Sequence, residues 1–328
     1  MRITNSIMLN SMMRNMSKNL NRMSKTEQML ATGKKFSLPS DDPIGVSRSL
    51  RLNTDVANME QYKRNVEDAQ SWLDTTEMAM NNMVDVFQRT RELTVQAANE
   101  TNSIDERKAI ALEIEQLKGQ IISTGNTTYA GSYIFSGFKT NKALFDDTGK
   151  YSFDPDIANP VITLTNAEEI KFNIGIGDSM AVNILPQKIF GRLETVVPPL
   201  VSADSPVNNA ASVKTGDVPQ MIQVFDDLIK DLKDGNTDGI SNALGRLDIH
   251  FNNINAVRAE IGVKTNRLEL TLNRIEGDTL NLKELLSKNE DADMTEVIMN
   301  LKMQESVYQA SLSGGARIIQ PTLMDFLR

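Results

Sequence analysis

The chain has 328 residues, a formal net charge of -8, no cysteine and a single histidine. Without cysteine it can form no disulfide, thiolate metal site or cysteine nucleophile, and one histidine excludes a histidine cluster for zinc. The acidic balance argues against a nucleic-acid partner, because no basic patch offsets phosphate repulsion. No stretch reaches the roughly 20 apolar residues of a membrane span or the roughly 7–15 of a secretory signal core. The composition predicts a protein without cofactors, without membrane insertion, and either cytoplasmic or exported without a cleaved leader.

The first segment has apolar residues at alternating spacings of four and three, which is typical of a helix that pairs with another helix. This predicted seam consists of Leu9, Met13, Met16, Leu20, Met23, Glu27 and Leu30. Gly33 is expected to end the helix as a left-handed cap. Asp42 and Pro43 then predict the start of a second helix. Capping is favoured over a calcium or acid–base role for Asp41 and Asp42, because no further carboxylates follow at chelating spacing.

Two long helices are predicted in the middle of the chain. The first runs from about Ile44 to Asn99, and Ser103 with Glu106 forms a capping box for a shorter helix that turns back along it. The second long helix carries its apolar repeat from Ile240 to Leu286 and follows a short helix that begins near Val218. Their similar lengths predict an antiparallel bundle. His250 lies off the repeat, so a solvated or rim histidine is favoured over a catalytic one.

Between the helical parts the apolar period changes to two, which indicates short strands. The predicted strands lie around Tyr129–Phe135, Val161–Thr165, Ile170–Ile176 and Met180–Ile184. They predict a small antiparallel β domain at the tip of the bundle, and residues 198–217 are expected to be a surface linker. Gly175–Asp178 faintly resembles a phosphate loop, but a turn is favoured because no helix or lysine follows it.

The last segment repeats the pattern of the first. Its predicted seam consists of Met294, Ile298, Leu301, Glu305, Tyr308, Leu312, Gly315 and Ile319, after a break over Ser287–Asp293. Neither seam can be buried alone, so the two ends of the chain are expected to pair side by side. The fold class predicted is therefore mainly α: an elongated antiparallel bundle with a coiled-coil stalk formed by the chain ends.

Several short motifs resemble the flagellin superfamily. They are Met1–Thr4, Ala31–Lys35, Pro39–Pro43 and the run from Leu301 to Ala310 that continues to Leu323. Within that family, Asp68–Leu73 and Gly131–Gly137 are more similar to hook–filament junction subunits than to filament subunits. Residues 140–217 carry no motif that can be placed.

This resemblance implies a structural role in the bacterial flagellum, with leaderless export through the flagellar type III apparatus. The implied partners are further copies of the chain in a ring-like layer, the neighbouring hook-associated protein, flagellin, and a cytoplasmic export chaperone. A filament-forming flagellin is the alternative within the family. An enzyme is disfavoured, because no convergent nucleophile, metal set or glycine loop is present. A stable helical hairpin without a partner is the alternative reading of the two seams.

The sequence predicts three domains. Residues 1–36 with 289–328 form a terminal coiled coil that is disordered in the monomer, residues 37–139 with 218–288 form the long bundle, and residues 140–217 form the β domain with its linker. The assembly interface is expected at the terminal seams, because short, interrupted seams need packing from neighbouring subunits. Its predicted residues are Leu9, Met13, Met16, Leu20, Met23, Leu30, Met294, Ile298, Leu301, Tyr308, Leu312, Ile319, Leu323 and Phe326.

Overall fold

The fold was described from a computed structural model, which is mostly helical. It describes residues 5–99, 103–152, 161–162, 169–191, 213–214 and 218–319. The helices are α1 (Asn5–Thr32), α2 (Pro43–Ala97), α3 (Ile104–Gly125), α4 (Pro186–Phe190), α5 (Gln220–Asp234), α6 (Thr237–Glu290) and α7 (Met294–Ile319). The strands are β1 (Thr128–Tyr129), β2 (Ser132–Tyr133), β3 (Val161–Ile162), β4 (Lys171–Gly175), β5 (Asp178–Ala181) and β6 (Val213–Lys214). The mainly helical class and the small antiparallel β part are confirmed.

The chain divides into two compact units, residues 1–60 with 277–328 and residues 61–276. The two long helices α2 and α6 contribute residues to both units. We call the first the terminal unit and the second the central unit. The three-domain division predicted from the sequence stays a prediction.

The helix ends follow their local sequence signals. Gly33 has φ +71° and its N–H donates to the carbonyl of Met29 at 2.8 Å, as a left-handed cap requires. The Asp42 carboxylate accepts from the N–H groups of Ile44 and Gly45 at 3.1 and 3.0 Å. Ser103 and Glu106 form the complete reciprocal capping box. These caps confirm the predicted starts of α2 and α3 and the predicted end of α1.

The core of the central unit is built from heptad-spaced residues of four helices. Its fully buried large side chains include Leu73, Met80 and Phe87 of α2, Ile114 and Ile121 of α3, and Phe225 of α5. Ile254, Ile261 and Leu268 of α6 are also completely buried. Ion pairs of Lys63 with Glu276 at 2.6 Å and of Arg91 with Asp248 at 2.8 Å show that α2 and α6 are antiparallel.

The sequence predicts the β part at the tip of the bundle, and the contacts instead place it beside the helices. The amide of Asn65 in α2 donates to the carbonyl of Asn173 in β4 at 2.8 Å. Arg267 in α6 pairs with Asp178 at the start of β5 at 2.9 Å. The opposite end of the unit holds the helix turns, where the Arg107 guanidinium contacts the carbonyls of Asn99 and Gly235. These contacts with α2 and α6 thus hold the hairpin of β4 and β5 against the sides of the two helices.

A small aromatic core lies at the C-terminal end of α3, beside Gly125, and the sequence does not predict it. The Phe190 ring of α4 meets the rings of Phe145 and Phe135 edge-on at centroid distances of 4.8 and 5.9 Å. Asn126 fixes the segment by exchanging hydrogen bonds with the backbone of Phe145 at 2.9 and 3.0 Å. No helix was predicted for the five-residue α4, whose Phe190 completes this cluster.

Three further expectations about this region can be compared with the structure. Gly175–Asp178 is a turn between β4 and β5, as predicted, with Gly177 at φ +73°. Val213–Lys214 forms β6 and pairs with β3, so this part of the predicted linker is a strand. The rest of residues 198–217, and residues 163–165 of a predicted strand, lie outside the described residues.

His250 is not a solvated or rim residue. Its side chain is buried in the central unit, with its ring 6.5 Å from the Phe87 ring, and its Nδ1 has no hydrogen-bond partner among the described residues. Burial, and to a lesser extent the charge of Arg246, lowers the pKa of His250 from 6.5 to about 4. The imidazole is therefore neutral in the folded protein near pH 7.

This pKa predicts an acid sensitivity of the central unit. The unfolded chain takes up a proton at His250 near pH 6.5, whereas the folded chain does so only near pH 4. Stability is therefore complete above pH 6.5 and is lost as the pH falls toward 4, by roughly 2 kcal/mol at pH 5. Urea unfolding at pH 7.5 and 5.0 should show this loss in the native chain and a smaller loss in His250→Leu. Equal losses would contradict it, since all other titrating groups are common to both proteins.

Candidate assembly interface

The two chain ends pair through an antiparallel helix hairpin, α1 with α7, in the terminal unit. Thr26 donates from its hydroxyl to the side-chain carbonyl of Gln304 at 3.0 Å. Met12 lies directly against Gly315, where an added Cβ would overlap the methionine Cε. The side chains of Val297 and Leu301 are buried, with 7% and 9% exposed. The pairing of first and last segments is thus confirmed, and it runs from Met12 beside Gly315 to Thr26 beside Gln304.

The predicted seams lie one position away from the true contact on part of each helix. Met16, Met23, Leu30, Leu301 and Tyr308 are buried or half-buried, as predicted. The exposed predicted residues, with their exposed fractions, are Met13 (58%), Leu20 (38%), Met294 (41%), Ile298 (48%) and Leu312 (44%). Other positions occupy the contact instead. The prediction omitted Met12, Asn19, Thr26, Val297, Gln304 and Ser311, and it included Gly315.

The remaining predicted interface residues cannot be placed. Leu9 and Ile319 lie within α1 and α7, but their side chains are outside the described part of the chain. Leu323 and Phe326 follow the last described residue. Polarity explains why the true seam was missed: Asn19, Thr26, Gln304 and Ser311 carry no apolar signal. The contact of Met12 with Gly315 is visible only once the register is known.

Four of the exposed predicted residues share one side of the hairpin, because each follows a contact-facing position by one residue. Met13 follows Met12, Leu20 follows Asn19, Ile298 follows Val297 and Leu312 follows Ser311, whereas Met294 lies seven residues before the buried Leu301. One residue is a rotation of about 100° in the same sense on each helix. Because the helices are antiparallel, equal rotations from the contact lead to the same side of the pair. We call this surface the assembly face, and it consists of Met13, Leu20, Ile298 and Leu312.

Acidic residues lie within the assembly face. Glu27 and Glu305 follow Thr26 and Gln304 by one residue and so belong to the same side of the hairpin. Glu305 is paired with Lys302 of its own helix at 2.8 Å. The face therefore has apolar ends and an acidic centre. Exposed apolar side chains gathered on one side of a helix pair indicate a protein-binding surface.

A second exposed apolar row lies on the far side of α7. Met299, Met303 and Val307 are four residues apart and are 64%, 58% and 47% exposed. Met299 and Met303 follow the buried Val297 and Leu301 by two residues, a rotation of about 200°. The prediction from sequence omitted these residues, although their spacing of four was a usable signal.

Backbone hydrogen bonds join the two helix breaks of the terminal unit. The Lys35 N–H donates to the carbonyl of Glu290 at 2.7 Å, and the Ala292 N–H donates to the carbonyl of Gly33 at 2.8 Å. Lys34 and Glu290 form an ion pair. The two breaks therefore lie against each other. The break in the second leg is shorter than predicted, because α6 continues to Glu290. We call these two backbone hydrogen bonds and the ion pair the clasp, and the clasp fixes the register of α1 against α7.

A cavity of about 260 Å³ lies beside this clasp. Its lining includes Phe36, Asn289 and the ion pair of Lys25 with Asp41 at 2.7 Å. The hydrogen bond from Lys25 lowers the pKa of Asp41. Asp41 is thus paired and Asp42 caps α2, as the capping interpretation predicts. Among the described residues no group of three or more histidine, aspartate or glutamate side chains could hold a metal ion.

Comparison with known proteins gives a consistent family. The model for the bacterial flagellin N-terminal helical region matches residues 3–140, and that for the C-terminal helical region matches residues 244–327. The chain is 29% identical to flagellar hook-associated protein 3 of Escherichia coli K12, over 95% of each chain. It is 27% identical to the flagellin of Bacillus subtilis 168, over 95% of this chain and 94% of that one.

Solved structures show the same fold. A putative flagellar hook-associated protein from Vibrio parahaemolyticus superposes with a TM-score of 0.60 at 19% identity, covering 76% of this chain and all of that one. The flagellar junction protein FlgL from Legionella pneumophila gives a TM-score of 0.53 at 18% identity, with 75% and 100% coverage. None of the helices that the structure describes combines the length and apolar character needed to cross a membrane. With both terminal helical regions matched, the chain belongs to the flagellin family of bacterial flagellar proteins.

Proposed function

We propose that this chain is a structural subunit at the junction between the flagellar hook and the flagellin filament. The observation that carries the proposal is the assembly face, where both chain ends present exposed apolar side chains on one side of their pair. Burying the exposed half of each large side chain against a neighbour would contribute on the order of 1 kcal/mol. Similarity to the relatives named flagellar hook-associated protein 3 favours a position at the junction over a position in the filament. The role needs no catalytic group or cofactor.

The proposal includes specific partners and a route. Further copies of the chain form a thin ring-like layer, the preceding hook-associated protein lies on one side, and flagellin lies on the other. A cytoplasmic chaperone delivers the chain to the flagellar export apparatus, and it is exported without a cleaved leader to the extracellular flagellum. A filament-forming flagellin is the second candidate, because flagellins match over the same length.

We also infer that the α1–α7 hairpin is only marginally stable in the isolated subunit. Its contact contains Asn19, Thr26 and Gln304, whereas Met13, Ile298 and Leu312 are about half exposed. Helix pairs with little buried apolar surface open readily. Assembly then supplies the missing packing.

Hydrogen exchange provides the test of this inference. Backbone amides around Leu301 should exchange rapidly in dilute monomer and slowly after assembly, while amides around Phe87 in the central unit stay protected in both. Equally slow exchange at both sites in the monomer would contradict marginal stability.

Adjacent residues on α1 allow a matched test of the assembly face. Leu20 is on the face, whereas Asn21 is exposed on the far side of the same helix. Leu20→Lys places a charge in a surface that must become dry, so we expect at least about a tenfold loss of incorporation into flagella. Asn21→Lys should incorporate normally, and both should melt like the native chain. A Leu20→Lys variant that incorporates normally would remove the face from the interface.

Growth on isolated hooks separates the junction from the filament. A filament subunit adds to copies of itself without limit, whereas a junction subunit stops after a short layer. Pure chain added to hooks that carry the preceding hook-associated protein should form a thin zone, from which flagellin then elongates. Long filaments of this chain alone, seen by negative-stain microscopy, would support the flagellin alternative.

A further inference from the structure

The central unit carries a second apolar row on α6, opposite its core. Ile261 and Leu268 of α6 are completely buried. Val263 and Leu270 follow them by two residues each, a rotation of about 200°, and are 69% and 72% exposed. Ala256 continues the row seven residues earlier and is also exposed. A strict seven-residue repeat of apolar residues is typical of a helix that packs against another helix. We call Ala256, Val263 and Leu270 the outer row of α6.

Basic and apolar groups border this row. The guanidinium of Arg274 lies 3.7 Å from the position a Cβ would take on Gly175, beside the β4–β5 turn. Arg274 makes no ion pair with the described residues. Ile176, at the tip of that turn, is 82% exposed. The outer row of α6 is thus an apolar surface with an unpaired positive charge at one end.

The outward side of α2 has the opposite charge. Met78 precedes the buried Met80 by two residues and is 61% exposed, so it points away from the core. Asp74 and Asp85 lie four residues before and seven residues after it on that side of α2, and both are exposed. Within the described part of the chain neither carboxylate forms an ion pair. We call Asp74, Met78 and Asp85 the outer row of α2. It has one exposed apolar side chain between two acidic ones.

We propose that the outer row of α2 in one copy packs against the outer row of α6 in a second copy. This inference rests on the proposed function, in that it supplies the lateral contact of the layer. Placing Met78 on Leu270 with the helices antiparallel brings Asp74, four residues before it, beside Arg274, four residues after Leu270. Asp74 and Arg274 are then paired, and Met78 and Leu270 cover each other, while Asp85 falls opposite Val263.

The required orientation follows from the fold. Within one chain α2 and α6 are antiparallel, as the pairs Lys63–Glu276 and Arg91–Asp248 show. A neighbouring copy in the same orientation therefore presents its α2 antiparallel to this α6. The two rows lie on different helices of each copy, so the contact is heterologous and can be repeated around a layer.

Cysteine cross-linking tests the proposal directly, because the chain contains no cysteine. A chain with both Leu270→Cys and Met78→Cys should give a ladder of disulfide-linked multimers when flagella containing it are oxidised. Leu270→Cys with Leu112→Cys is the matched control, since Leu112 is 62% exposed on α3. Normal incorporation without a ladder from the first pair would overturn this contact and leave the junction role standing. Failure of the native chain to join flagella would overturn the junction role itself.

A charge swap gives an independent readout. Arg274→Glu and Asp74→Arg should each lower incorporation at least about fivefold, since each turns an attractive pair into a repulsive one. The double variant should restore incorporation, and so should a mixture of the two single variants. Lys230→Glu, an exposed change on α5, should have no effect. Unchanged melting temperatures would show that all variants fold, and a double variant no better than the singles would overturn the pairing of Asp74 with Arg274.

Discussion

The terminal unit depends on the antiparallel pairing of α1 with α7. This pairing joins residues from opposite ends of the chain, so it cannot form until the whole chain is present. Few large apolar groups hold it together, because its contact includes an asparagine, a threonine and a glutamine. Register must then come from elsewhere, and the clasp of Gly33 and Lys35 with Glu290 and Ala292 supplies it through backbone hydrogen bonds. The clasp aligns two helices whose own side chains specify their alignment weakly.

Local features of the fold could be predicted from the sequence, because their causes are local. Asp42, Ser103 and Gly33 mark helix ends through hydrogen bonds to residues within four positions. Apolar spacing likewise gave the helices and the pairing of the ends. Apolar spacing predicted the residues of the contact only in part. The stripe of Met13, Met16, Leu20 and Met23 does not determine which of these side chains face the partner helix.

Features that depend on distant residues were out of reach. The position of the β4–β5 hairpin rests on Asn65 and Arg267, which are about 100 residues away on either side. His250 looked solvated because it lies off the repeat, yet neighbouring helices bury it against Phe87. Thr26 and Gln304 are polar, so the apolar spacing of the sequence did not reveal their contact. In each case tertiary packing decided an outcome on which the local pattern was silent.

The distribution of apolar residues distinguishes this chain from a self-contained bundle. A helix with one partner needs one apolar stripe, and the opposite side is free to be polar. On α6 and α7 the described structure has apolar rows both toward and away from the intramolecular partner. On α1 and α7 the contact contains Asn19, Thr26 and Gln304, while Met13, Leu20 and Ile298 lie outside it. Moving those apolar groups inward would strengthen the isolated hairpin and remove the surface it offers to others. A weak internal contact therefore leaves packing free energy to be gained only when another subunit arrives.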